Sequence, residues 1–119
     1  MLKLDVAQVH AQTICKNGDI YYSLNGKMHR EHGPAIVYAN GSERWMRNGF
    51  LHRENGPATI LNDGYKDWYR FGRLHRTDGP AVECPDGRRE YWVNGFYCID
   101  TLMFQERLKA FLISGVLES

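Results

Sequence analysis

One spacing governs this chain. The frame Asn-Gly-x-x-His-Arg-x-x-Gly-Pro-Ala begins at Asn25, returns at Asn48, and returns at Phe71 with Phe for Asn, an interval of 23 residues each time. His29, His52 and His75 mark the period, as do Gly33, Gly56 and Gly79, and Pro34, Pro57 and Pro80. Gly18, Gly41, Gly64 and Gly87 keep the same register, and so do the aromatics Tyr22, Trp45, Trp68 and Tyr91. A fixed period of this length is the mark of a stacked array, in which each unit is one small motif packed on its neighbours. The units span residues 11–98. The first lacks an opening Gly-Pro, and in the last Cys98 stands where the others have His.

Each unit reads as a β-hairpin. Asn17-Gly18, Asn40-Gly41, Asp63-Gly64 and Asp86-Gly87 are two-residue turn signals of the type I′ kind. A short apolar run such as Ala35–Tyr38 precedes each turn, and a mixed strand such as Glu43–Arg47 follows it. The His-Arg-x-x-Gly-Pro stretch joins one hairpin to the next, with proline at a strand start where no ladder N–H is needed. From Ile99 onward the period changes: Leu102, Met103, Phe104, Leu108, Phe111 and Leu112 approach a helical repeat. Asp100 or Thr101 can serve as N-cap and Gly115 as terminator, giving a helix of about 12–14 residues. An open meander leaves a free edge, and terminal repeats need a cover. The sequence therefore predicts a mainly β fold: an antiparallel meander of four 23-residue hairpin repeats (11–98) with a C-terminal capping α-helix (99–116), in one domain over 1–119. At the N-terminus, Leu2, Leu4 and Val6 fit either an edge strand or a short helix.

Charge narrows the partners. The net charge is +1, and between Gly26 and Trp92 there are 11 Lys and Arg against 9 Asp and Glu. That balance argues against nucleic acid as partner. No stretch approaches a membrane span, and no apolar leader follows the first Met. Cys15 and Cys84 lie three periods apart, beyond disulfide reach in stacked hairpins. Unpaired cysteines point to a reducing, cytoplasmic location.

The repeated polar residues look catalytic but read as structural. Equivalent atoms two strands apart are separated by about 10 Å, so His29, His52 and His75 cannot share a metal; neither metal nor cofactor is expected. Each His is expected to tie its own loop through backbone hydrogen bonds. Arg30, Arg53 and Arg76 are expected to bind loop carbonyls or the nearby Glu31, Glu54 and Asp78. No Gly-x-Ser-x-Gly, His-Glu-x-x-His or Cys-x-x-Cys occurs, so a non-enzymatic role is expected and no catalytic residue is assigned. The aromatic row is either core or an exposed stripe. Trp45 and Trp68 share a face with Arg47 and Arg70, whereas Met46, Tyr69 and Trp92 face the other side. Arg47, Arg70, Tyr69, Trp92, Trp45 and Trp68 are therefore the candidate partner-binding residues.

The strand signatures Trp45-Met46-Arg47-Asn48-Gly49 and Trp68-Tyr69-Arg70-Phe71-Gly72, with the loop Leu51–Ala58, resemble the MORN repeat family over about 85 residues. The His-Arg-x-x-Gly-Pro loop replaces the usual His-Gly-x-Gly and looks like the divergent variant of bacterial, bacteriophage and giant-virus proteins. The resemblance implies an interaction scaffold that binds a protein, in its specific form a phage or viral accessory protein that binds and modulates, as an inhibitor would, a host protein. A homodimer through the first sheet edge or a sheet face is a further arrangement. The alternative is a single-stranded nucleic-acid platform using the aromatic and Arg rows. A small hydrolase ranks last.

Overall fold

The computed structural model describes residues 8–118, so the segment holding Leu2, Leu4 and Val6 lies outside the described residues. Strands β1 (His10–Ile14), β2 (Ile20–Leu24), β3 (Lys27–Met28), β4 (Ile36–Val37) and β5 (Glu43–Arg44) lead the chain. Strands β6 (Met46–Arg47), β7 (Phe50–Leu51), β8 (Thr59–Ile60), β9 (Lys66–Asp67), β10 (Tyr69–Arg70) and β11 (Arg73–Leu74) follow. The last strands are β12 (Val82–Glu83), β13 (Arg89–Val93) and β14 (Phe96–Cys98), before helix α1 (Thr101–Glu118). The main path runs β1-β2-β4-β5-β8-β9-β12-β13-β14, antiparallel throughout, with β3 on β2 beside it. The fold is thus the expected mainly β antiparallel meander with one C-terminal helix.

The expected hairpin of each unit turns out to be two. In the two middle units the strand after the first turn breaks at its aromatic, with β5 ending at Arg44, β6 starting at Met46 and Trp45 between them, whereas β2 and β13 run unbroken through Tyr22 and Tyr91. The Trp45 N–H donates to Ala58 O of the next unit, while its carbonyl accepts from the His52 N–H of its own. Trp68 repeats this with Ala81 and His75. The chain leaves the main sheet there and makes a second, smaller hairpin, β6–β7 or β10–β11. A strand interrupted by one residue reads in sequence as continuous, so the break carries no sequence signal.

The turn chemistry is also reassigned. At the first turns only the glycines have positive φ (Gly18 96°, Gly41 90°, Gly64 100°, Gly87 92°). In the first of these, Gly18 N–H donates to Cys15 O and Cys15 N–H to Asp19 O, so the loop is a type I turn closed by a left-handed Gly. The Asn or Asp acts through its side chain instead: Asn17, Asn40, Asp63 and Asp86 each accept the N–H two residues on. The type I′ signature, positive φ at two successive residues, belongs to Asn25-Gly26, Asn48-Gly49, Phe71-Gly72 and Asn94-Gly95.

The molecule measures 51 × 45 × 17 Å, thin enough that its interior is a narrow spine. Ala35, Ala58 and Ala81 are fully buried at equivalent points of that spine, with Ile36, Val82, Val93 and Leu24 beside them. A larger side chain at the alanine positions would overpack it.

Helix α1 covers the last unit. Asp100 is the N-cap, its Oδ1 accepting the Met103 N–H at 2.8 Å. The helix has 18 residues and carries Gly115 inside it, longer than the expected 12–14, although an interior Gly costs about 1 kcal/mol. Phe104 packs on Tyr91 (ring centroids 5.0 Å) and Phe111 on His75 (4.6 Å). Leu102 and Leu112, expected inside, are instead 63% and 53% exposed, because α1 is apolar on both sides and only one side meets the sheet.

Candidate partner-binding face

The repeated histidines build a spine of hydrogen bonds between units. His29 Nδ1 accepts the Asn48 N–H at 3.0 Å, His52 Nδ1 the Phe71 N–H at 2.9 Å, and His75 Nδ1 the Asn94 N–H at 2.9 Å. Each ring's backbone hydrogen bond therefore reaches the next unit's type I′ turn, whereas the sequence had suggested its own loop. At the other nitrogen, His29 Nε2 meets Glu31 at 2.7 Å and His52 Nε2 meets Glu54 at 2.8 Å. With Nδ1 accepting, the neutral ring carries its proton on Nε2 and donates it to the carboxylate. Those bonds hold the Glu31 and Glu54 carboxyls below their ordinary range.

Arg30, Arg53 and Arg76 lie flat on Tyr22, Trp45 and Trp68, with guanidinium carbons 3.9, 3.7 and 3.9 Å from the ring centres. Each Nη1 donates to the carbonyl of Pro34, Pro57 or Pro80. The repeated Gly at this position then has a reason: a Cβ on Gly33, Gly56 or Gly79 would come within 3.0, 2.9 or 2.8 Å of the guanidinium carbon. Of the carboxylates expected to hold these arginines, only Asp78 does, at 2.8 Å from Arg76, joined by Glu83 at 2.9 Å. Glu31 and Glu54 serve the histidines.

Three hollows follow one another along this face, the first between β1 and the first loop and the other two between successive loops. The first is lined by Tyr22, His29, Arg30 and Glu31 and holds about 470 Å³. The second, about 390 Å³, is lined by Trp45, Arg47, His52 and Arg53. The third, about 540 Å³, is lined by Glu54, Trp68, Arg70, His75, Arg76 and Thr77. The structure thus brings Trp45 with Arg47, and Trp68 with Arg70, onto one face. Tyr69 reaches the rim of the third hollow from β10, while Trp92 lies elsewhere, against Tyr97 with Nε1 donating to Glu90. The six candidates therefore do not form one cluster.

Sequence reading overlooked Phe50, Phe71 and Phe96, which are exposed around the second turns. Phe71 also holds φ at 48°, unusual for an aromatic, where its N–H meets His52 and its ring packs on the imidazole at 4.3 Å. The signal was available: Phe71 is the one residue that replaces Asn in the repeated Asn-Gly turn. Among the described residues no three His, Cys, Asp or Glu side chains gather in metal-binding geometry, and no helix is long and apolar enough to cross a membrane. No family model, curated protein or solved structure matches the chain.

Proposed function

We propose that this protein is a non-enzymatic interaction module of MORN-like type that docks a protein partner on the hollowed face. The observation that carries this reading is the row of three hollows, in register with the 23-residue repeat and rimmed by Arg47 and Arg70. A repeat array offers a broad surface of fixed pitch, suited to a partner of matching shape. The specific form proposed is a phage or viral accessory protein acting on a host protein in the cytoplasm. The free thiols of Cys15, Cys84 and Cys98 support a reducing location.

The nucleic-acid alternative is weakened by the same geometry. Base stacking needs open aromatic faces, and Arg30, Arg53 and Arg76 already occupy a face of Tyr22, Trp45 and Trp68. The homodimer form of this reading places a second copy along the β1 edge, which pairs only with β2 among the described residues. Affinity capture from the host, followed by calorimetry with the captured protein at two salt concentrations, tests the proposal. The expected result is a stoichiometric complex with a shallow salt dependence. Tight binding to single-stranded oligonucleotides with a steep salt slope, and no protein bound, would overturn it.

A further inference from the structure

Two of the three loop histidines carry an internal carboxylate, and the third does not. His29 and His52 donate from Nε2 to Glu31 and Glu54. The residue two places after His75 is Thr77, which is exposed and lines the third hollow. His75 is held in the same pose as its counterparts, with Nδ1 on the Asn94 amide at 2.9 Å. The neutral ring must then carry its proton on Nε2. His75 is only 8% exposed, and it lines the third hollow. Among the described residues no carboxylate closes on that Nε2.

A cation without an ion-pair partner stands beside it. Arg53 is committed to Trp45 and the Pro57 carbonyl, and Arg76 to Trp68, Asp78, Glu83 and the Pro80 carbonyl. Arg70 makes no ion pair among the described residues and only distant contacts, 5.9 Å from the Phe71 ring centre and 5.7 Å from that of Phe111. It is near enough to His75 that its charge, after burial, helps hold the imidazole below the ordinary histidine range. The chain displays what such a pair binds: Glu54 rests on His52 with the charges of Arg70 and Arg47 around it.

We propose that the third hollow is a receptor for a carboxylate from outside the chain, an Asp or Glu side chain of the docked protein. It would take the place on His75 Nε2–H that Glu54 takes on His52, with Arg70 as the counter-charge. The protein origin of the carboxylate rests on the proposed docking function; the carboxylate site itself does not. A charge-assisted hydrogen bond from a largely buried ring, reinforced by Arg, suits an anionic planar group and gives direction as well as attraction.

The test uses the full chain labelled with ¹⁵N, following the ring nitrogens of its histidines by NMR. The probes are sodium acetate and the blocked tripeptide acetyl-Gly-Glu-Gly-amide. The expected result is a saturable shift of the His75 Nε2 resonance, with His29 and His52 unmoved because their donors are occupied. Thr77→Glu supplies the missing carboxylate from within and should weaken probe binding by about tenfold or more, the worth of one hydrogen bond to a charged group. Tighter binding of the tripeptide than of acetate supports a protein side chain as the source. Acetate binding as well as or better than the tripeptide upholds the site and overturns the protein origin. If neither probe moves His75, or Thr77→Glu binds them as the parent does, the carboxylate site is refuted, while partner capture tests the docking function separately.

Discussion

Replacing His52 by Ala should remove a buried side-chain link between the second and third units. The ring is 2% exposed and its Nδ1 accepts the Phe71 N–H at 2.9 Å, within a turn whose φ of 48° a phenylalanine does not prefer. Orphaning that amide costs about 1–3 kcal/mol, and the space left by the imidazole adds about 1 kcal/mol. The bond to Glu54 adds little, because that carboxylate is 53% exposed and the pair is screened. The total is about 2–4 kcal/mol, a large share of a small domain's stability. At about 4 °C per kcal/mol for a domain of this size, the melting temperature should fall by about 8–16 °C. His52→Asn separates the terms, since the Asn carbonyl oxygen can stand where Nδ1 stands and accept the Phe71 amide. Urea denaturation of the two variants should therefore rank parent, then His52→Asn, then His52→Ala. If His52→Ala stays within about 0.5 kcal/mol of the parent, the range of an ordinary surface change, the interunit bond does not hold the array together. A His52→Asn variant as damaged as His52→Ala would refute the role given to Nδ1.

Gly79→Ala should cost about 1–3 kcal/mol by overpacking, since its Cβ would come 2.8 Å from the Arg76 guanidinium carbon; lifting Arg76 off Trp68 should change the tryptophan fluorescence, and an unchanged spectrum would contradict the stacking. Asp67→Asn should raise stability at neutral pH by about 1 kcal/mol, because burial raises the carboxyl pKa and its Oδ1 has no hydrogen-bond partner; a lower denaturation midpoint would show that the charge is useful there. Truncation after Ile99 should expose Tyr91 and His75 and cause aggregation detectable by light scattering, whereas Leu112→Lys, on the outer side of α1, should leave stability within about 0.5 kcal/mol. Acidification should destabilise the fold in two stages. His75 lies below its ordinary pKa when folded, so the unfolded chain takes that proton first and stability falls as pH drops through about 6.5. The depressed Glu31 and Glu54 carboxyls add a second loss as pH falls through their own folded range below 4.5. In urea midpoints measured against pH, His75→Asn should flatten the first stage alone.

Much of the fold was legible because a strict register carries its own proof. The repeat, the antiparallel meander and the terminal helix all follow from patterns that tertiary context reinforces. The turns were misassigned because Asn-Gly and Asp-Gly occur at both ends of each unit, and propensity alone does not say which Asn adopts positive φ and which caps through its side chain. The break at Trp45 and Trp68 was invisible because it depends on hydrogen bonds to the following unit. The six candidate residues were only partly grouped: Trp45, Trp68, Arg47 and Arg70 share the hollowed face, but strand alternation could not foresee that Arg53 and Arg76 lie over those tryptophans. The difference between Thr77 and its counterparts Glu31 and Glu54 was plain in the alignment of the units, yet acquires meaning only once the histidines are seen to donate to those glutamates.

The central question is whether a partner protein docks on the hollowed face. Calorimetry of the captured partner with Arg47→Ala, Arg70→Ala and, as control, Arg44→Ala, which lines none of the three hollows, decides it. Loss of about 2 kcal/mol or more of binding free energy for Arg70→Ala or Arg47→Ala, with Arg44→Ala like the parent, is the expected result. Full binding by both face variants, with binding lost instead on Arg44→Ala or on substitution in the β1 edge, would contradict it.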